Sequence, residues 1–269
     1  MPRTIVITGA SSGVGLAAAR QLAAQGEQVV VVGRDPRRLG AAMAAVRAAA
    51  TGPEPDEFRA DFTELGQVRE LAGKLLAAYP KIDVLANNAG GMVESYVRTA
   101  DGFEATIQGN HLAPFLLTHL LRGALQGGRV VNTASQAHRR AKLDPDDFVG
   151  SAGGYSSWRS YGASKAANIL FAAEAARRWP EITSVSFHPG VVRSNFGVGG
   201  ATRFFYRFAP FLTTPEQAGD LLTWLSTAEV TDGAYYVGRK VTRPDAAAAD
   251  PATAARLWER SAAAVGQPA

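Results

Sequence analysis

The chain has 269 residues, 46% of them hydrophobic and 19% charged, a mix that excludes a disordered tail or a fibrous repeat and suits an α/β domain with a large core. It contains no cysteine, which removes disulfides, zinc–thiolate sites, iron–sulfur clusters and thiol nucleophiles together. The net charge of +4 is spread without any run of five like charges, so no nucleic-acid role is expected, and no apolar stretch reaches the ~18 residues of a transmembrane segment.

Residues 3–8 are β-rich and end in a glycine turn, and residues 13–24 repeat apolar side chains at helical spacing, with Val14, Ala17, Ala18 and Leu22 on one side. The valine run at 28–32 predicts a strand buried on both faces, followed by a helix over 37–50. The alternation continues with a short strand near 57–60, a helix near 64–78, a strand at 83–86 and a long helix within 102–121. A strand at 129–133, a helix from about 161 to 178 and a strand at 183–187 complete it. This pattern predicts one Rossmann-like, doubly wound parallel sheet with helices on both faces, closed at its edge by a seventh strand at 234–237. The domain is expected over residues 1–245, with an alanine-rich tail over 246–269 in which Leu257 and Trp258 give a docked or frayed helix some apolar face. With the first strand starting at Arg3 there is no room for a signal peptide, and the expected compartment is the cytoplasm.

The segment Thr8-Gly9-Ala10-Ser11-Ser12-Gly13-Val14-Gly15 joins the first strand to the first helix, the context a dinucleotide site requires. Its glycines let the backbone turn tightly and approach a pyrophosphate, whose charge the helix start stabilises. At the end of the second strand, where an acid would read an adenosine ribose, stand Gly33 and Arg34. A guanidinium grips a 2′-phosphate that an acid would repel, so the expected cofactor is NADP(H). The competing reading makes Arg34 a solvated loop residue paired with Asp35. Ser12 is a further donor, and Asp61, with Phe62 beside it, is placed to meet the adenine.

Tyr161 and Lys165 are spaced to share one face of a helix that they open, one turn apart. An ammonium within ~4–6 Å lowers a phenol's pKa of about 10 and makes it a usable proton donor near neutral pH. Tyr236 and Lys240 have the same spacing on a predicted strand, where four residues span roughly 13 Å, so that pair is not expected to couple. Ser135 follows a strand and should project from the carboxyl edge of the sheet, placed to polarise a carbonyl or, in the plainer reading, to cap a turn.

The glycine motif, the run Asn87-Asn88-Ala89-Gly90, Ser135, Tyr161 with Lys165, and Pro189-Gly190 together resemble the short-chain dehydrogenase/reductase family over residues 3–236. Asn110-His111-Leu112, Tyr161-Gly-Ala-Ser-Lys-Ala-Ala-Asn168 and His188-Pro-Gly-Val-Val-Arg193 look more narrowly like its retinol dehydrogenase-like branch. The resemblance implies that Tyr161 is the general acid in reduction, that Lys165 lowers its pKa and binds the nicotinamide ribose, and that Ser135 holds the carbonyl. It implies further that Asn110 supports a water linking Lys165 to solvent, and that Asn88 and Gly90 flank the adenosine side. Val191 would meet the carboxamide, and Ser194 stands where a threonine is commoner. A second departure is Ala134, in place of the serine that often precedes the catalytic one.

His111, His119, His138 and His188 show no metal-ligand spacing, so no metal is expected and core or loop roles suffice. Residues 195–212 crowd Phe196, Phe204, Phe205, Tyr206, Phe208 and Phe211 behind three glycines, read as a lid over a hydrophobic carbonyl or alcohol substrate, with edge packing and a membrane-surface patch as alternatives. Trp158 and Tyr155 are expected to form the opposite wall. The functional reading is an NADPH-dependent oxidoreductase, and the alternative is a non-catalytic NADP-sensing protein of the same fold. A homodimer or homotetramer through the helices ending near Leu121 and Arg178 is left open.

Overall fold

The structure, a computed structural model, describes residues 1–192 and 212–269. Strands β1 (Thr4–Thr8), β2 (Gln28–Gly33), β3 (Asp56–Arg59), β4 (Val84–Asn87), β5 (Arg129–Thr133), β6 (Thr183–His188), β7 (Tyr235–Val237) and β8 (Lys240–Val241) form one sheet in the order 3-2-1-4-5-6-7-8. All pairings are parallel except β7 with β8. The strand expected to close the edge is thus the first arm of a hairpin, and β8 is the edge.

Helices α1 (Gly13–Ala24) and α2 (Pro36–Ala49) lie on one face, with a helix at Pro215–Thr227; α3 (Leu65–Ala78), α5 (Ala113–Leu120) and α6 (Ser157–Arg178) lie on the other. Alternation along the strands divides the layers: Ile5, Ile7, Val29 and Val31 join the first core, while Val6, Val30 and Val32 join the second. A uniform valine run therefore serves two cores at once.

The long helix expected within 102–121 is broken. A single turn at Ala105–Ile107 (α4) passes into a π turn at Gln108–Leu112 before α5 begins. Apolar spacing persists through the insertion, so periodicity did not reveal it, and such π turns frequently sit at functional sites. Taken in chain order, Pro215–Thr227 is α7 and Pro251–Val265 is α8.

The alanine-rich tail is docked. Leu257 and Trp258 of α8 are buried, and Trp258 meets the rings of Phe115, His119, Phe171 and Trp179 at centroid distances of 5.2, 4.9, 5.8 and 4.7 Å. Burying an indole in an aromatic cluster is worth several kcal/mol by transfer and ring–ring contact together, about 3–5 on truncation. This helix of the same chain packs against α5 and α6.

Candidate active site

The strand order reverses between β1 and β4, and the loops that follow the strands at their carboxyl ends surround one cleft of about 770 Å³. Gly9, Ser11, Ser12, Gly13 and Val14 line it after β1, Arg34 after β2, Asp61 and Phe62 after β3, and Asn88, Ala89 and Gly90 after β4. Asn110, Ser135, Tyr161, Lys165, Pro189, Gly190 and Val191 complete the described wall of expected residues. Ser194 and the aromatic segment at 195–211 lie outside the described residues.

Gly9 needs no side chain because its φ is +67° and a Cβ there would come within 2.7 Å of the Ala89 Cα. Gly15 is not part of the cleft wall; a Cβ on it would meet Asn88 Nδ2 at 2.5 Å and Gly9 O at 2.8 Å, so it acts by letting helix and strand close up. Asn88 holds that approach: its Nδ2 donates to Thr8 O at 2.9 Å and its main-chain N–H to Thr8 Oγ1 at 3.0 Å. The start of α1 has no side-chain cap from Ser12 and no acid in its first turn. Its amides and positive end are therefore suited to an anion supplied from the cleft, which is what a pyrophosphate would provide. On this observation, the residues present fit a dinucleotide.

At the adenosine end Arg34 pairs with Asp61, Nη1 to Oδ2 at 3.4 Å. Asp35, the partner in the competing sequence reading, instead caps α2 by accepting from Arg38 N at 2.9 Å. Burial pushes the Asp61 carboxyl up, but hydrogen bonds from Thr63 and the charge of Arg34 outweigh it and hold the group below its ordinary value. Arg38 also lines the cleft and escaped the sequence reading; its spacing of four from Arg34 was the available signal.

At the other end, α6 starts at Ser157, capped by Ser156, so Tyr161 lies in its second turn rather than opening it. The one-turn relation to Lys165 is kept, with Nζ 5.4 Å from the Tyr161 ring centroid. Lys165 is 3% exposed and donates to Thr133 O at 3.0 Å; burial lowers its pKa to about 8. It stays charged at neutral pH beside the phenol. Ser135 caps a 3-10 turn at Gln136–Arg140, its Oγ accepting from Ala137 N at 3.2 Å, which leaves the hydroxyl hydrogen for the cleft. Cap and cleft residue are the same serine.

Asn110 sits in the π turn. Its Oδ1 accepts from Gly91 N, and Nδ2 donates to Gly91 O and Ser164 Oγ, each at 2.9 Å. Both amide hydrogens are spent pinning the loop after β4 to α6, so the side-chain amide has none left to offer a water. Trp158 lines the cleft at 44% exposure, edge-on to Tyr161 at 6.5 Å. Tyr155 does not line it: its hydroxyl donates to Val93 O at 3.1 Å and lies 3.2 Å from Glu104 Oε1, which draws the ring behind the wall. Met92, Val93, Glu94, Thr106 and Thr133 are wall residues that no motif marked, and His188 of the His188-Pro-Gly motif joins them.

Tyr236 and Lys240 are uncoupled for a different reason from the one expected. The chain reverses between them, and Lys240 stands opposite Val237, exposed, whereas Tyr236 is buried with its hydroxyl accepting from Thr231 N at 2.8 Å. The pleat separates them, not length. Among the described residues no group of three or more His, Asp or Glu side chains is arranged to hold a metal, and no helix is long and apolar enough to cross a membrane.

A glycine turn at the switch point of a parallel sheet, with serine, tyrosine and lysine converging at the far end of the same cleft, defines an oxidoreductase of the dinucleotide-binding class. The short chain dehydrogenase family model matches residues 3–199. The chain belongs to the short-chain dehydrogenase/reductase family, in its retinol dehydrogenase-like branch. It is 52% identical over 270 residues to a Streptomyces sp. (strain C5) protein with the provisional name daunorubicin C-13 ketoreductase DnrU, covering 99% of this chain and 94% of that one. It is 33% identical to human retinol dehydrogenase 13, over 98% of this chain and 85% of the relative. Among solved structures, one from Mycobacterium paratuberculosis superposes with a TM-score of 0.81 at 30% identity, over 98% of this chain and 94% of that one. A short chain dehydrogenase of Escherichia coli CFT073 complexed with NADPH does so at 0.69 and 25% identity, over 88% of this chain and 97% of that one.

Proposed function

We propose that the protein is an NADP(H)-dependent carbonyl reductase and alcohol dehydrogenase acting on a hydrophobic small molecule. The observation that carries this reading is the convergence of Ser135, Tyr161 and Lys165 on one cleft whose opposite end presents Arg34 and Arg38. A cofactor sensor would need only the arginine and glycine end, so the intact serine, tyrosine and lysine speak against the non-catalytic alternative.

The glycine turn and the start of α1 would hold the pyrophosphate, Arg34 and Arg38 the 2′-phosphate, Asp61 the adenine, and Lys165 the nicotinamide ribose. Bound there, the nicotinamide supplies or accepts a hydride. Ser135 donates its hydroxyl hydrogen to the substrate carbonyl oxygen and fixes its position. Tyr161 gives its phenolic proton to that oxygen as negative charge develops on it, and in the oxidative direction takes the alcohol proton back. Lys165 stabilises the phenolate left behind, and its burial removes competing water from that interaction.

Trp158 offers an exposed aromatic wall beside Tyr161. The relatives' names, provisionally a daunorubicin C-13 ketoreductase and retinol dehydrogenases, point to a carbonyl or an alcohol, which supports that pair of functional groups as the substrate class here. The test is cofactor oxidation, NADPH against NADH, across aliphatic, aromatic, quinone and steroid-like carbonyls and daunorubicin. Turnover with NADPH on the larger apolar ketones is expected. Tight NADPH binding with no turnover on any of them would favour the sensor.

A further inference from the structure

We propose that His138, clamped by Asp245 from the C-terminal segment, is a positioning residue that sets the geometry of Ser135. The inference rests on the reading in which Ser135 holds the substrate carbonyl.

Ser135 heads a 3-10 turn of five residues, a hydrogen-bonding pattern weaker than an α-helix and in need of outside support. Part of that support comes from one side chain. The Ser135 carbonyl accepts from His138 N at 3.2 Å and from His138 Nδ1 at 2.6 Å. Because a carbonyl only accepts, Nδ1 carries the ring hydrogen and Nε2 of the neutral imidazole is an acceptor. Nε2 accepts from the Asp245 main-chain N–H at 3.4 Å, while the Asp245 carboxylate 3.3 Å away, itself an acceptor, adds no hydrogen bond to the neutral ring. His138 is fully buried, and the Tyr235 ring stands edge-on to it at 5.4 Å. The ring is therefore held from both nitrogens and from one face.

His138 does not line the catalytic cleft. It borders a separate cavity of about 120 Å³ with Leu143, Ala166, Ala248 and Thr253, so it is placed to act through Ser135 rather than by touching substrate or cofactor. Asp245 lies beyond residue 199, where the match to the family model ends. It is held near the turn by Thr242 N donating to Tyr235 O at 2.8 Å and by Arg139 Nη2 donating to Arg243 O at 3.2 Å. The catalytic serine of the family core is thus braced by a segment outside that core. Since Ser135 Oγ is itself bonded to Ala137 N, a tilt of the turn carries the hydroxyl with it.

The test uses the full chain with His138→Asn, His138→Gln, Ser135→Ala and the double variant Ser135→Ala/His138→Gln, on a ketone that the wild-type protein reduces. Asn places its amide N–H near the position of Nδ1, whereas Gln places it near Nε2; both are neutral and polar, and melting temperatures establish that both fold. The expected result is that His138→Gln lowers kcat by about 10-fold to 100-fold, the scale of a catalytic group misplaced by about 1 Å, while His138→Asn keeps most of the rate. NADPH affinity, read by fluorescence titration, should be unchanged in both. In the Ser135→Ala background His138→Gln should cost nothing further, because the group through which it acts is gone. Equal rates for Asn and Gln, or losses that add in the double variant, would overturn the proposal. Full activity in Ser135→Ala alone would instead overturn the underlying reading of the site.

Discussion

The two ends of the cleft solve opposite problems. At the adenosine end the Arg34 and Arg38 side chains are each 61% exposed, and the Arg34–Asp61 pair is long and partly solvated. At the other end Lys165 is 3% exposed, Asn110 2% and Ser164 fully buried. Exposed charges select between ligands that differ by a phosphate, but each is screened and individually weak. Buried polar groups lose their water and must be re-solvated by protein, which is costly but fixes their geometry and shifts their pKa. In the proposed reading, recognition of the cofactor falls where solvent remains, and the lysine that supports proton transfer where it has been removed.

That contrast orders the expected effects. Tyr161→Phe should leave NADPH binding in place while cutting turnover by about 10²–10⁴-fold, the usual scale of general acid catalysis. Unchanged turnover in that variant, measured by cofactor oxidation, would remove the buried end from the mechanism.

Lys165 gives the next largest effect, on stability. Burial lowers its pKa from 10.5 to about 8, so below pH 8 folding carries the cost of an ammonium stripped of water. Between pH 8 and 10.5 the unfolded chain binds more protons than the folded one, and stability rises with pH as that cost fades. Without cofactor, Lys165→Met should therefore be more stable than wild type at pH 7, by something on the order of 3 kcal/mol, with the gap narrowing towards pH 10. Equal melting temperatures at pH 7 would mean that the lysine is hydrated in solution.

Arg34→Ala should weaken NADPH by about 10–100-fold, the worth of one charge-assisted hydrogen-bonding group, and leave NADH nearly untouched. Equal losses for the two cofactors would show that Arg34 does not read the 2′-phosphate. The smallest effect is expected for Arg38→Ala: a few-fold loss for NADPH that shrinks as ionic strength rises, because so exposed a charge is readily screened. A salt-independent loss would mean a more enclosed contact than this end of the cleft provides.

Much of the fold was legible because the information is local. Strand and helix positions followed from periods of two and 3.6, and most boundaries shifted by only a few residues. The π turn at Gln108–Leu112 escaped because an inserted residue leaves apolar spacing nearly intact over so short a stretch. The docking of α8 was only half visible: Leu257 and Trp258 announced an apolar face, but its partners Phe115, Phe171 and Trp179 come from distant parts of the chain. Tyr155 was misplaced because proximity to Tyr161 in sequence says nothing about Glu104, which orients it. His138 carried no sequence signal beyond being three residues from Ser135.

The sequence by itself determined the alternating sheet, the glycine turn between β1 and α1, and the helical-turn relation of Tyr161 to Lys165, since each depends on spacing within a few residues. Tertiary structure alone decided which groups lose their water and whom they meet. Arg34 found Asp61 across 27 positions, and Asp245 reached His138 across 107. Pairings at such separations are selected by how the layers pack, and packing is where an ordinary lysine becomes a buried, pKa-shifted one.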